Sequence, residues 1–141
     1  MVNRIFFLFV DLLLTYSFCM AQSISVKNDQ LLHTASFGNS RLKFVLNYDH
    51  KCAVSSLEVN DQKVIDGTNG IYSEIQTNDK TFSTLQLAAS PAVAVVGTSI
   101  NITGIAYGDN GIQIHETWKF LVSDTAIKFF YNKKMSQRIG G

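Results

Sequence analysis

The stretch INITGIAYGDNGIQIHETWKFL, residues Ile100–Leu121, decides the fold class. Two runs rich in Ile, Thr and aromatic residues flank Gly108-Asp109-Asn110-Gly111, a strong turn signal. In the second run Ile112, Ile114, Glu116, Trp118 and Phe120 recur at every other position, the period of a pleated strand and not of a helix. The same rhythm extends outward in both directions. Leu42, Phe44, Leu46 and Tyr48 alternate in LKFVLNY, and CAVSSLEV and QKVI flank Asn60-Asp61, a dipeptide suited to a tight hairpin turn. After a Ser123-Asp124 turn, AIKFFYN sets Ile127, Phe129 and Tyr131 on one side. Pro91 cannot donate to a ladder and belongs at a strand start or a sheet edge, and AVAVV after it is apolar enough to be buried on both faces. Turn signals recur about every 8–12 residues, and no helical window of useful length follows Ala21. The expectation is an all-β fold, a two-sheet antiparallel β-sandwich of nine or ten strands in about 120 residues.

The 141 residues suffice for one domain, and 46% hydrophobic against 16% charged residues indicates a packed core. Twelve basic and eleven acidic residues leave a net charge of +1, so no basic field for nucleic acid or anionic lipid is present. Residues 1–21 have the layout of a secretory signal peptide: Arg4, an apolar run from Ile5 to Leu14 interrupted by Asp11, and small residues before a cut ahead of Gln22. A retained anchor is the alternative, but the apolar run is short for a bilayer span. Bulky Tyr16 and Phe18 also fit poorly before a lipid-bearing Cys19. The expectation is an exported, periplasmic or extracellular domain over 22–135, with no membrane contact after cleavage. Residues 136–141 are expected as a disordered or truncated tail. Loss of the leader leaves Cys52 alone, so no internal disulfide can form, and Cys52 reads as a small buried hydrophobe.

Few residues point to chemistry. His115-Glu116 lacks the second histidine of a zinc helix, because Lys119 stands at the required position. Adjacent strand residues also point to opposite faces. Glu116 falls in the apolar row, where an unpartnered carboxylate is costly. Either the register shifts near Thr117 or Glu116 is paired at a rim or interface, and a structural role is favoured over catalysis. His33 and His50 are scattered in turn-like segments, and Asp49, Asp61, Asp66, Asp79, Asp109 and Asp124 sit in turn signals. No catalytic residue, metal site or cofactor is therefore expected. Trp118, Tyr72, Tyr107 and Tyr131 carry ring faces that can stack on sugars. Tyr72, after a glycine-bearing loop, is the better exposed of them, whereas Trp118 lies in the apolar row. The candidate glycan-contact residues are thus Tyr72, Trp118, Glu116 and His115. Asn101-Ile102-Thr103 matches a glycosylation acceptor, relevant only in a eukaryotic secretory pathway.

Read together, RLKFVLNYDHKCAVSSLEVNDQKVI, NGIYSEIQT and GIQIHETWKFLVSDTAIKFFYN resemble the N-terminal β-sandwich of exported carbohydrate-active enzymes of gut-type Bacteroidetes. This is the galactose-mutarotase-like supersandwich that precedes an (α/α) toroid in several glycoside hydrolase families. The resemblance covers about Ser23 to Tyr131. It implies a non-catalytic accessory domain, or a fragment of a longer enzyme, that packs against a helical toroid module and contacts polysaccharide. A free-standing sugar mutarotase or epimerase using His115 or Glu116, and a secreted adhesion module, are the alternatives.

Overall fold

A computed structural model of the chain describes residues 23–137, so the expected signal peptide lies outside the described residues. Among the described residues eleven strands follow one another. They are β1 (Ser25–Asp29), β2 (Thr34–Gly38), β3 (Leu42–Asn47), β4 (Ala53–Val59), β5 (Gln62–Ile71), β6 (Glu74–Gln76), β7 (Thr81–Ser83), β8 (Ala92–Val96), β9 (Ser99–Gly108), β10 (Ile112–Val122) and β11 (Ile127–Gln137). All pairings are antiparallel. They form a five-stranded sheet in the order β1-β2-β3-β4-β5, a four-stranded sheet in the order β11-β10-β9-β8, and a small β6-β7 ribbon. No helix among the described residues is long and apolar enough to cross a membrane.

The turns form where the local chemistry favours them. Asn60 and Asp61 both adopt positive φ, 51° and 60°, and close a two-residue hairpin between Val59 and Gln62. Between β9 and β10, Asp109 Oδ1 accepts the N–H groups of Gly111 (2.8 Å) and Ile112 (3.0 Å). Lys80 Nζ donates to Asp109 Oδ2 at 2.5 Å, fastening the β6-β7 ribbon to this turn. The lysine and the two turn amides pull the Asp109 carboxyl down to about 2.

The two larger sheets contribute to one core. Phe44 and Leu46 of the first, with Tyr48 just after β3, are buried in one cluster with Ile100, Ile102, Ile105, Ile114, Trp118 and Phe120 of the second. Burying apolar surface contributes about 25 cal/mol per Å², and this shared layer is where most of it is gained. Along one margin β1 touches β8, tied by Asn28 Nδ2 donating to Val93 O at 3.3 Å. On the opposite margin, where β5 and β11 end the sheets, an open groove runs between them.

Two irregularities shape that margin. β9 carries a bulge opposite Thr117: Ile105 pairs with Glu116 and Ile102 with Trp118, leaving Thr103 and Gly104 to face one residue. The extra residue switches the buried parity of β9 from Ile100 and Ile102 to Ile105 and Tyr107. The register therefore shifts where expected, but on β9, and β10 keeps strict alternation with Glu116 inside. The second irregularity is in β5, whose pairing with β4 jumps from Asp66 opposite Ser56 to Ile71 opposite Val54.

Other details depart from expectation. β8 begins just after Pro91 but is a sheet edge, with Val93 and Val95 half-buried and Val96 exposed, not a strand buried on both faces. Edge strands have only one neighbour and one covered face, which overrides the apolar composition. β11 continues through Gln137, opposite Ile112, so pairing runs two residues past Met135.

Gly104 and Gly108 give a test of the β9 geometry. A Cβ on Gly104 (φ +75°) meets nothing within 4 Å, whereas one on Gly108 (φ +126°) would lie 2.0 Å from Ile112 O. Gly104→Ala is expected to cost about 1 kcal/mol and Gly108→Ala about 3 kcal/mol or more, read as the difference in urea midpoint.

Candidate functional site

The groove has a volume of about 410 Å³. One wall is Phe44, Val54 and Leu57 with Ile71, Tyr72 and Ser73 at the end of β5; the other is Glu116, Trp118 and Phe120 of β10 with Ile127, Phe129, Tyr131 and Lys133 of β11. The β10-β11 ladder aligns this second wall, pairing Phe120 with Phe129, Trp118 with Tyr131 and Glu116 with Lys133. Aromatic rings lead from the core to the surface. Phe44 meets Phe120 at 4.8 Å, Phe120 stacks on Phe129 at 4.7 Å, and Phe129 lies 5.9 Å from Tyr131 with the ring planes 20° from parallel. Exposure rises along the series, from 3% at Phe44 and Phe120 to 46% at Phe129 and 65% at Tyr131.

The groove ends in a polar cluster around Glu116, which is only 2% exposed. Glu116 Oε1 accepts from Tyr107 OH (2.5 Å), Ser73 Oγ (2.7 Å) and Lys133 Nζ (2.9 Å), and Oε2 accepts from Trp118 Nε1 (2.7 Å). Lys133 Nζ also donates to Ser73 Oγ at 2.7 Å. Every buried side-chain polar atom among the described residues has a partner. Ser73 is held in place from behind by Thr84: Ser73 N donates to Thr84 Oγ1 (3.1 Å), and Thr84 Oγ1 donates to Cys52 O (2.7 Å). Cys52 itself is fully buried, and that burial, reinforced by the Glu116 charge, pushes its thiol well up.

The electrostatics favour a fixed ion pair. Burial alone would raise the Glu116 carboxyl, but the hydrogen bonds from Tyr107, Ser73, Lys133 and Trp118 outweigh it and hold the group below its usual value. Burial works against the Lys133 ammonium, and the Glu116 contact more than compensates, so Lys133 titrates higher than usual. Burial, and then donation to Glu116, raise the Tyr107 phenol. A general acid near neutral pH requires a raised carboxyl. Glu116 is held the opposite way, as an ionised acceptor paired with Lys133, which also lines the groove. Among the described residues that line the groove, Glu116 is the one carboxylate.

Tyr72, Trp118 and Glu116 thus converge on one groove, while His115 is exposed on the other face of β10. Trp118 is 4% exposed and serves the core as well as the cluster. Tyr107 is buried as a donor to Glu116, so it is no sugar platform, and Tyr131 at 65% is the exposed ring, whereas Tyr72, expected to be the better exposed, is only half-buried. His33 packs edge-on against Tyr48 at 5.4 Å, and His50 is exposed in a turn. No group of three His, Cys, Asp or Glu able to hold a metal occurs among the described residues. Sequence reasoning missed Ser73 and Lys133. Lys133 was recoverable: the turn over Ser123–Ala126 makes Val122 face Ile127, and counting outward sets Lys133 opposite Glu116. No protein-family model, curated protein or solved structure matches the chain.

Lys133→Met, which leaves a buried carboxylate without its cation, is expected to cost about 2–3 kcal/mol, because Lys133 is a quarter exposed and the full buried-pair penalty is larger. Adding Glu116→Gln should recover part of that loss, a coupling of about 1–3 kcal/mol in a double-mutant cycle of urea unfolding. The pH dependence has a defined sign. Glu116 titrates lower folded than unfolded, so its contribution is present above the usual value of 4.5 and is lost as pH falls through its depressed value. Glu116→Gln should flatten that acid limb of the stability profile.

Proposed function

We propose that the chain is a two-sheet β-sandwich of the galactose-mutarotase-like supersandwich type, acting as a non-catalytic accessory domain of an exported polysaccharide-degrading glycoside hydrolase. Its role is to hold glycan in the groove while a helical toroid module carries out the hydrolysis. The observation that carries this reading is the groove wall itself: two exposed, nearly parallel rings, Phe129 and Tyr131, beside a fixed donor–acceptor pair, Lys133 and Glu116. Sugar rings offer C–H faces to aromatic surfaces and hydroxyls to such pairs. A shared core with one margin left open agrees with the sandwich assignment. The ionised state of Glu116 favours binding over proton transfer, and so weighs against a mutarotase or epimerase acting at this cluster.

Because Lys133 and Glu116 neutralise each other, neutral polysaccharides should bind better than uronic-acid polymers. Titration calorimetry of the full chain against a panel of both classes is the test. Tyr131→Ala and Tyr72→Ala should each weaken binding about 3- to 10-fold, the worth of one aromatic contact. Tyr131 is exposed enough that folding should persist in its variant. If no polysaccharide binds, or if both variants bind as the parent does, the groove is not a glycan site.

A further inference from the structure

β11 is the outer strand of the four-stranded sheet, and it carries four of the nine large apolar side chains exposed among the described residues: Phe129, Phe130, Tyr131 and Met135. One of its margins pairs with β10 over all eleven residues, whereas the other has no ladder partner among the described residues. A long, apolar, unpaired margin invites addition of another strand unless charges guard it. Here the guard is thin. Of the three lysines, Lys133 is turned inward to Glu116, and only Lys128 and Lys134 stand on the outer face.

We propose that a second copy of this chain adds its own β11 antiparallel to this margin, about a two-fold axis through Asn132. The pleat requires facing residues to share a face, so a symmetric pairing must be centred on a residue. Centring on Asn132 pairs the whole of Ile127–Gln137. It sets Lys134 of one copy against Phe130 of the other, Lys128 against Ser136, and Lys133 against Tyr131. No lysine then faces a lysine, and the Lys134 ammonium lies over Phe130 of the other copy at two symmetric places, while Lys133 stays on Glu116. The neighbouring registers are worse. An axis at Tyr131 opposes Lys128 to Lys134, and an axis at Lys133 opposes that lysine to itself. An axis at Phe130 avoids like charges but pairs only 127–133. The favoured register also brings Phe129 beside Met135 of the other copy on the groove face, covering apolar surface that each copy leaves open. The result is one continuous sheet with four strands from each copy. The inference does not require glycan to bind, although the pairing sets Phe129 and Tyr131 of the groove wall beside the other copy.

Sedimentation of the full chain from about 1 to 100 µM should show a reversible monomer–dimer equilibrium. Phe130 is exposed, so its variants should keep the β-sheet circular dichroism of the parent. Phe130→Lys sets like charges opposite each other twice and should raise the dimer dissociation constant about tenfold. Phe130→Glu, facing Lys134, should keep or tighten the dimer. In a Cys19→Ser background, mild oxidation should cross-link Asn132→Cys between copies but not Lys128→Cys, the remaining Cys52 being buried. A chain that stays monomeric throughout, a dimer unmoved by Phe130→Lys, or cross-linking at position 128 instead of 132 overturns the proposal.

Discussion

A carboxylate buried at 2% exposure has to be answered by partners, and the architecture around Glu116 supplies four of them from four parts of the chain. Tyr107 comes from β9, Ser73 from the end of β5, Lys133 from β11 and Trp118 from β10 itself. Each must arrive in one position. The β9 bulge at Gly104 turns Tyr107 inward, the jump in the β4-β5 register is followed by Ser73, and the hairpin register delivers Lys133. Buried polar networks are costly when half satisfied, so this one ties the outermost strand of one sheet to the margin of the other.

The same arrangement explains why the groove stays open. β1 and β8 meet at one margin, where Asn28 donates to Val93 O, but at the other the sheets are bridged by a polar cluster and a series of rings. The inner face of β11 therefore passes from buried to exposed within a few residues. An aromatic surface that is rigid because it continues into the core is well suited to the proposed accessory role. Its rings give up little freedom when a ligand lies on them.

Much of the fold was legible because period-two alternation and turn chemistry are local properties. The Leu42-to-Tyr48 row is buried, Asn60-Asp61 closes its hairpin, and Ile112, Ile114, Trp118 and Phe120 alternate inward as spaced. Glu116 was legible as an anomaly in that row, but its solution was not. Tyr107 reaches it only because of a bulge, whose φ of +75° at Gly104 leaves no mark in the alternation of β10. Ser73 reaches it through the buried Thr84, which binds both Ser73 and Cys52 across the chain. Such contacts depend on how separate sheets meet, which no local pattern encodes. The misjudged AVAVV strand is the converse case: its composition suits full burial, but its place at the end of a sheet prevents it.

Trp118 is the chain's only tryptophan, and its indole N–H is bound to a carboxylate that ends an open groove. Its emission should therefore follow the state of that single cluster without interference from any other indole. Protonation of Glu116, entry of a ligand beside Phe129, or displacement of Lys133 would each change the field at one chromophore. The protein thus carries a built-in optical probe at the place where its chemistry is concentrated.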